Sequence, residues 1–201
     1  SVSDVIRTES NGHAHLRFVD SALVSVRPNS ELEIIEYNYN PDRPEESVVK
    51  FSLLEGTARA ISGKAAEAAK DKFRLNTPIA AIGVRGTDFV VTASQTSVRA
   101  MVNQGAIVLA PYSAQCSALG AGPCDSNAVE LDSNELQILE FNTSLTTPRI
   151  IQLSSTGQAQ RQIGSVSSRR QGDSQDVRTE VTTQNSIDVS LSQEELALET
   201  S

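Results

Sequence analysis

Few residues in this chain could carry chemistry, and their spacing narrows what that chemistry could be. The two histidines, His13 and His15, stand two apart in an alternating stretch, so a strand would place both on one face, as two metal ligands require. No third ligand is identifiable nearby, and the pair is expected to be solvated. A serine or cysteine nucleophile would have to use His13 or His15 as its base, and no residue stands out as its partner. Asp and Glu together number 25, enough to form a carboxylate pair across strands, yet no pattern isolates the two that glycosidic chemistry needs. A Gly-rich phosphate loop leading into a helix is missing too. The expectation is a non-enzyme with no catalytic residue, no metal and no cofactor.

Cys116 and Cys124 flank Ser-Ala-Leu-Gly-Ala-Gly-Pro, a segment flexible enough to bring the sulfurs together. A local disulfide is expected, contributing about 2.5 kcal/mol at most for so short a ring and persisting only in an oxidising compartment such as a periplasm. The alternative is a pair of free thiols in a loop; zinc would need two further ligands. The net charge is −8 and the isoelectric point near 4.8, so the mean field repels phosphate backbones and anionic lipid, and no nucleic-acid partner is expected. No apolar run approaches the roughly 18 residues of a membrane span, and no basic-then-apolar leader opens the chain, so an export signal is expected to have been removed.

These residues need elements to position them, and from Val5 to Phe141 the dominant period is two, the pattern of strands with one buried face. Leu16 and Phe18 alternate with Arg17, Val49, Phe51 and Leu53 with Lys50 and Ser52, and Phe73 and Leu75 with Arg74. The strands fall into groups (Leu16 to Ile34, Val49 to Ile61, Phe73 to Val91, Val98 to Leu109, Val129 to Leu139). Turns are placed at Asp20-Ser21, Glu55-Gly56, Ile82-Gly83, Gln104-Gly105 and Ser133-Asn134. An all-β fold of stacked repeats, solenoid or sandwich-like, is predicted, with a barrel or jelly roll as the alternative. Lys64 to Lys72 has strong helix formers but only alanines to bury, and reads as an exposed excursion of about two turns. After about Ser154 the composition turns to Ser, Thr, Gln and Arg, which sets the domain at 1–154 and a polar tail at 155–201. Ser192 and Glu195 have capping-box spacing for a short helix near 193–199, and the tail is expected to bind a neighbouring molecule.

The segment Phe73-Arg74-Leu75-Asn76-Thr77-Pro78-Ile79-Ala80-Ala81-Ile82-Gly83-Val84-Arg85-Gly86-Thr87-Asp88-Phe89-Val90-Val91 resembles the centre of the FecR domain family, with its Thr-Pro strand end and its Val-Arg-Gly-Thr-x-Phe turn. Leu53-Leu54-Glu55-Gly56-Thr57 and Asn103-Gln104-Gly105-Ala106 look like the family's flanking glycine turns, and the resemblance covers residues 4 to 141. Ser133-Asn134-Glu135 replaces the usual Ala-Gly-Gln, a change that leaves a turn possible because Asn tolerates left-handed backbone. Physically, Pro78 fits a strand start and Gly86 a special backbone angle, Thr87 can bond its own turn and Phe89 can enter the core. Arg85 could tie down turn carbonyls, the reading preferred, or contact an acidic partner.

Three functions follow. The first is a non-enzymatic interaction or assembly module of the bacterial envelope, periplasmic or extracellular, docking an envelope protein or copies of itself. The second, implied by the resemblance, is the periplasmic sensory domain of an anti-sigma-type transducer, although the chain lacks the cytoplasmic sigma-gripping segment and membrane helix of full members. The third is a carbohydrate-binding or carbohydrate-processing β protein.

Overall fold

A computed structural model describes residues 4–84 and 86–153. Arg85, the tail 155–201 and the expected helix at 193–199 lie outside the described residues. The strands are β1 (Val5–Thr8), β2 (Ala14–Arg17), β3 (Leu23–Val26), β4 (Ser30–Asn38), β5 (Val48–Ile61), β6 (Phe73–Asn76) and β7 (Ala80–Val84). They continue as β8 (Asp88–Ala93), β9 (Ser97–Gln104), β10 (Ala106–Pro111), β11 (Val129–Asp132), β12 (Gln137–Asn142) and β13 (Arg149–Gln152). Among the described residues the fold is all-β, with one short α-helix, α1 (Lys64–Ala68), between β5 and β6, and two single 3-10 turns at Pro44–Glu46 and Lys70–Lys72.

All these strands join one sheet that branches at β5. The first half of the 14-residue β5 pairs with β4 and β6, and the second half, Gly56 to Ile61, with β3 and β8. Two arms result. The first runs β1-β4-β5-β6-β7-β10-β11 and the second β2-β3-β5-β8-β9-β12-β13. The β5–β6 pair is parallel, which a hairpin cannot produce, and the crossover carrying α1 supplies the necessary connection. Alternation sends Leu32, Phe51, Leu75, Ile82 and Ile107 of the first arm and Val26, Phe89, Val91, Ala100 and Leu139 of the second into one buried apolar cluster. Phe51 contacts Phe18 and Phe73 at centroid distances of 5.4 and 6.1 Å, within the range in which tilted rings attract.

Two expected turns are corrected. Glu55-Gly56 lies inside β5, at the point where that strand leaves the first arm for the second, and Ile82-Gly83 lies in mid-β7, paired with Leu109 and Val108. Gln104-Gly105 and Ser133-Asn134 do reverse nothing within one arm: they are corners at which the chain passes between arms. The recurring glycines therefore mark arm changes. Gly56, Gly86 and Gly105 all have positive φ, of 89°, 64° and 79°. Corners also stack on one another: the Thr57 N–H donates to Ser30 Oγ at 2.8 Å, and the Ser133 N–H to the Gly105 carbonyl at 3.1 Å. Asp20-Ser21 is the β2–β3 hairpin turn.

The reading of Lys64 to Lys72 as an exposed excursion is also corrected. Ala65, Ala66 and Ala69 are buried, because methyl-sized side chains let the helical turn lie close against β5 and the core, where a longer residue would hold it off. Asp20 anchors this segment from the β2–β3 turn. Its buried carboxylate accepts hydrogen bonds from the Tyr37 hydroxyl at 2.6 Å, from the Ala22 N–H at 3.1 Å and from the Ala65 N–H at 3.2 Å. Burial and this carboxylate together push the Tyr37 phenol well above its ordinary pKa. Tyr37 is thus a fixed donor in a structural clasp.

Candidate functional site

The motif residues hold turns and close approaches. The Thr77 hydroxyl donates to the Ala80 carbonyl at 2.9 Å and accepts the Ala80 N–H at 3.0 Å, closing the β6–β7 hairpin. Pro78 sits in that turn and not at a strand start; at this position its missing N–H costs no ladder bond. Gly83 is required for another reason than a turn, since a Cβ there would lie 2.6 Å from Pro123 Cβ. Thr87 is buried, and its N–H donates to Ser62 Oγ at 3.0 Å. Phe89 is fully buried in the core. At Gly56 a Cβ would come within 2.6 Å of the Asn29 carbonyl oxygen and Ser30 Cα.

His13 and His15 are both exposed, with His15 Nδ1 2.9 Å from Ser25 Oγ. Among the described residues no group of three or more His, Cys, Asp or Glu could hold a metal, and no helix is long and apolar enough to cross a membrane.

Two regions have the makings of a site; sequence reasoning found the disulfide of the first but neither the buried polar residues beneath it nor the second region. The first lies on the face of the first arm that points away from the core. There Lys50 and Arg74 are neighbours in the parallel β5–β6 register, and Asn76 follows Arg74 by two residues. The segment 112–128 between β10 and β11 folds over them. Cys116 and Cys124 are bonded (S–S 2.06 Å) and make a small second cluster with Ala81 and Ala110. Asn76 Nδ2 donates to the Ala118 carbonyl at 2.9 Å. Arg74 is 1% exposed, and its Nη2 donates to Cys116 Sγ at 3.3 Å and Cys124 Sγ at 3.1 Å, while Arg74 Nε and the Tyr112 hydroxyl have no hydrogen-bond partner. Burial lowers the pKa of Arg74 and pushes Tyr112 up to about 12. Lys50 is lowered by burial first and by the Arg74 charge second, with Glu36 opposing.

The second region is the outer face of the second arm. Phe89, Val91, Ala100 and Leu139 point to the core, so Val90, Met101, Ile138 and Ile151 point outward, and all four are half-buried. Val90 pairs with Met101 and Ile138 with Ile151, and Ile138 lies one residue beyond the Leu139–Ala100 pair, so the four form a row across β8, β9, β12 and β13. Ion pairs border it. Arg59 grips Asp88 through two bonds of 2.8 and 2.6 Å, and Glu140 accepts from Arg99 at 2.9 Å and from Arg149 at 2.6 Å. These partners hold both carboxyl groups below the usual range, Asp88 mainly through Arg59 and Glu140 through Arg149 and then Arg99.

A depressed folded-state pKa contributes stability that is complete above the unfolded carboxyl value, near 4, and is lost as pH falls through the folded value. The Asp88→Asn/Glu140→Gln double variant is therefore expected to lose less melting temperature than the parent between about pH 6 and pH 3. Thermal melts across that range check it; parallel curves would mean that neither pair contributes.

Comparison with known proteins bears on the whole assembly. The FecR protein family profile matches residues 4–108. Two crystal structures of a candidate anti-sigma factor from Parabacteroides distasonis share the fold at 15% identity. One, at TM-score 0.51, is covered over 59% of its length by 74% of this chain; the other, at 0.53, over 60% by 75%. The chain thus spans less than two thirds of the solved chains it matches. No curated protein matches it. A profile match over more than half of the sequence, which takes in the Thr77–Phe89 motif and its two flanking glycine corners, places this chain in the FecR family.

Proposed function

We propose that the chain is a non-enzymatic protein-docking module of the bacterial envelope, periplasmic or extracellular, and that the outer face of the second arm is where a protein partner docks. The carrying observation is the contrast between the arms. The β6–β7–β10 part of the first arm's outer face is roofed by the disulfide segment, whereas the second arm presents the Val90–Met101–Ile138–Ile151 row to solvent, framed by charges already fixed in ion pairs. A flat apolar centre with a polar rim is the anatomy of a protein interface, and pre-paired rim charges lose little side-chain entropy on docking. Arg85, whose structure is not described, stays in the proposal as a partner contact on its place in the sequence, next to the Gly86 corner.

A photoreactive residue at Met101 in cells should crosslink one defined protein, and the same residue at Glu33 on the first arm should not. Met101→Asp should abolish that complex in a purified reconstitution while leaving the melting temperature close to the parent's. Equal crosslinking from both positions would reject the docking face.

Kinship with the FecR family and the likeness to anti-sigma folds favour a signalling use of the same face: docking would be relayed to transcription. In that case Met101→Asp also changes the transcriptional response. If the complex is lost and transcription is not altered, the module is structural and the signalling reading fails.

A further inference from the structure

A buried cation normally has a buried anion beside it, because removing a charge from water costs several kcal/mol that only a close counter-charge offsets. Arg74 departs from that rule. It is 1% exposed, no carboxylate of the described residues pairs with it, and its two hydrogen bonds go to disulfide sulfurs, which are weak acceptors. The charged or titratable groups acting on it or beside it are Lys50 on β5, a second cation, Tyr112 after β10, neutral at physiological pH, and Glu36 on β4, which acts on Lys50. Arg74 Nε remains without a partner. The groups that hydrogen-bond to Arg74 are the two sulfurs, and reduction would convert one of them into a buried anion.

We propose that Cys116–Cys124 is a thiol-exchange site, opened by a dithiol reductant, with the Arg74 guanidinium holding the thiolate that is released. Both cysteines are buried, and Cys124, 8% exposed against 1% for Cys116, is the less buried one and the one the reductant attacks in this proposal. A thiolate of the reductant bonds to Cys124 Sγ, the Cys116–Cys124 bond breaks, and the electron pair leaves on Cys116 Sγ. The second thiol of the reductant loses its proton and attacks its own mixed-disulfide sulfur, which releases Cys124. The dithiol is oxidised by two electrons to a cyclic disulfide and the protein disulfide gains both. Of the two protons lost by the reductant, one goes to Cys124 and one to solvent, because Cys116 stays a thiolate against Arg74. Stabilising the reduced state in this way makes a disulfide easier to reduce. The roof over Lys50, Arg74 and Asn76 is then no longer stapled. This inference is independent of the docking role.

The test equilibrates the full chain in dithiothreitol redox buffers, quenches with an alkylating reagent and reads the oxidised fraction by intact mass. The parent should reach half-reduction at a dithiothreitol ratio about tenfold lower than Arg74→Gln, with Arg74→Lys between them. Since Arg74→Gln could disturb the fold, a second measurement uses the parent alone: the pH profile of iodoacetamide alkylation of the natively reduced chain. It should show one thiol titrating at least about one unit below the ordinary value near 8.5. A parent thiol at or above that value overturns the proposal, as do equal reduction equilibria in parent and folded Arg74→Gln.

Discussion

Phe89→Ala is expected to cost about 3 to 5 kcal/mol, enough to unfold much of a domain of ordinary stability. The side chain is fully buried between the arms, on β8, and its neighbours in register are Ala60 of β5 and Val102 of β9. Those flanking side chains are small, so the phenyl ring fills the gap they leave, and truncation opens a cavity that a rigid hydrogen-bonded sheet can close only in part. Val19→Ala is the matched control. Val19 is 83% exposed, and its truncation should fall within about 0.5 kcal/mol of the parent. Denaturant melts of the two variants decide the matter: a Phe89→Ala loss below about 1 kcal/mol would mean that the two arms do not share one packed core.

That core was the part of the fold most open to sequence reading. Period-two alternation depends only on residues next to each other, so the inward positions Val49, Phe51, Phe73 and Leu75 are visible without knowledge of any partner strand. Partner choice is not local. β5 pairs with four strands, two along each half, and nothing in Val48 to Ile61 except the Gly56 kink says that one strand serves both arms. The same limit hid Arg74. A polar residue between Phe73 and Leu75 reads as solvent-facing, and its burial comes from a segment some forty residues later, roofing that face. The clue that was available is Gly83, a glycine in mid-strand, which signals that another backbone comes close. Asp20 escaped for a related reason: a turn aspartate is ordinarily solvated, and only the return of Tyr37 and Ala65 makes it a buried clasp.

Glycine placement was legible in position but not in reason, and Gly105 and Gly86 separate the reasons. Both have positive φ, a region that costs a residue with a Cβ about 1 kcal/mol, and both stand at corners where the chain changes arms. Their surroundings differ. A Cβ on Gly86 would meet nothing within 4 Å, whereas one on Gly105 would collide with the Gly86 carbonyl oxygen and sit 3.1 Å from Thr87 Cγ2. Since the collision is with backbone, relief requires the stacked corners to part. The Ser133 N–H bond to the Gly105 carbonyl and the Thr87 bond to Ser62 are placed to be disturbed with them. Gly86→Ala is therefore expected to cost about 1 kcal/mol and Gly105→Ala about 3 kcal/mol. Chemical denaturation measures both, and hydrogen exchange at Ser133 and Thr87 locates the damage, since only Gly105→Ala should speed exchange at the two amides. Equal costs would show that backbone angle alone governs these glycines and that the corners are not packed against each other.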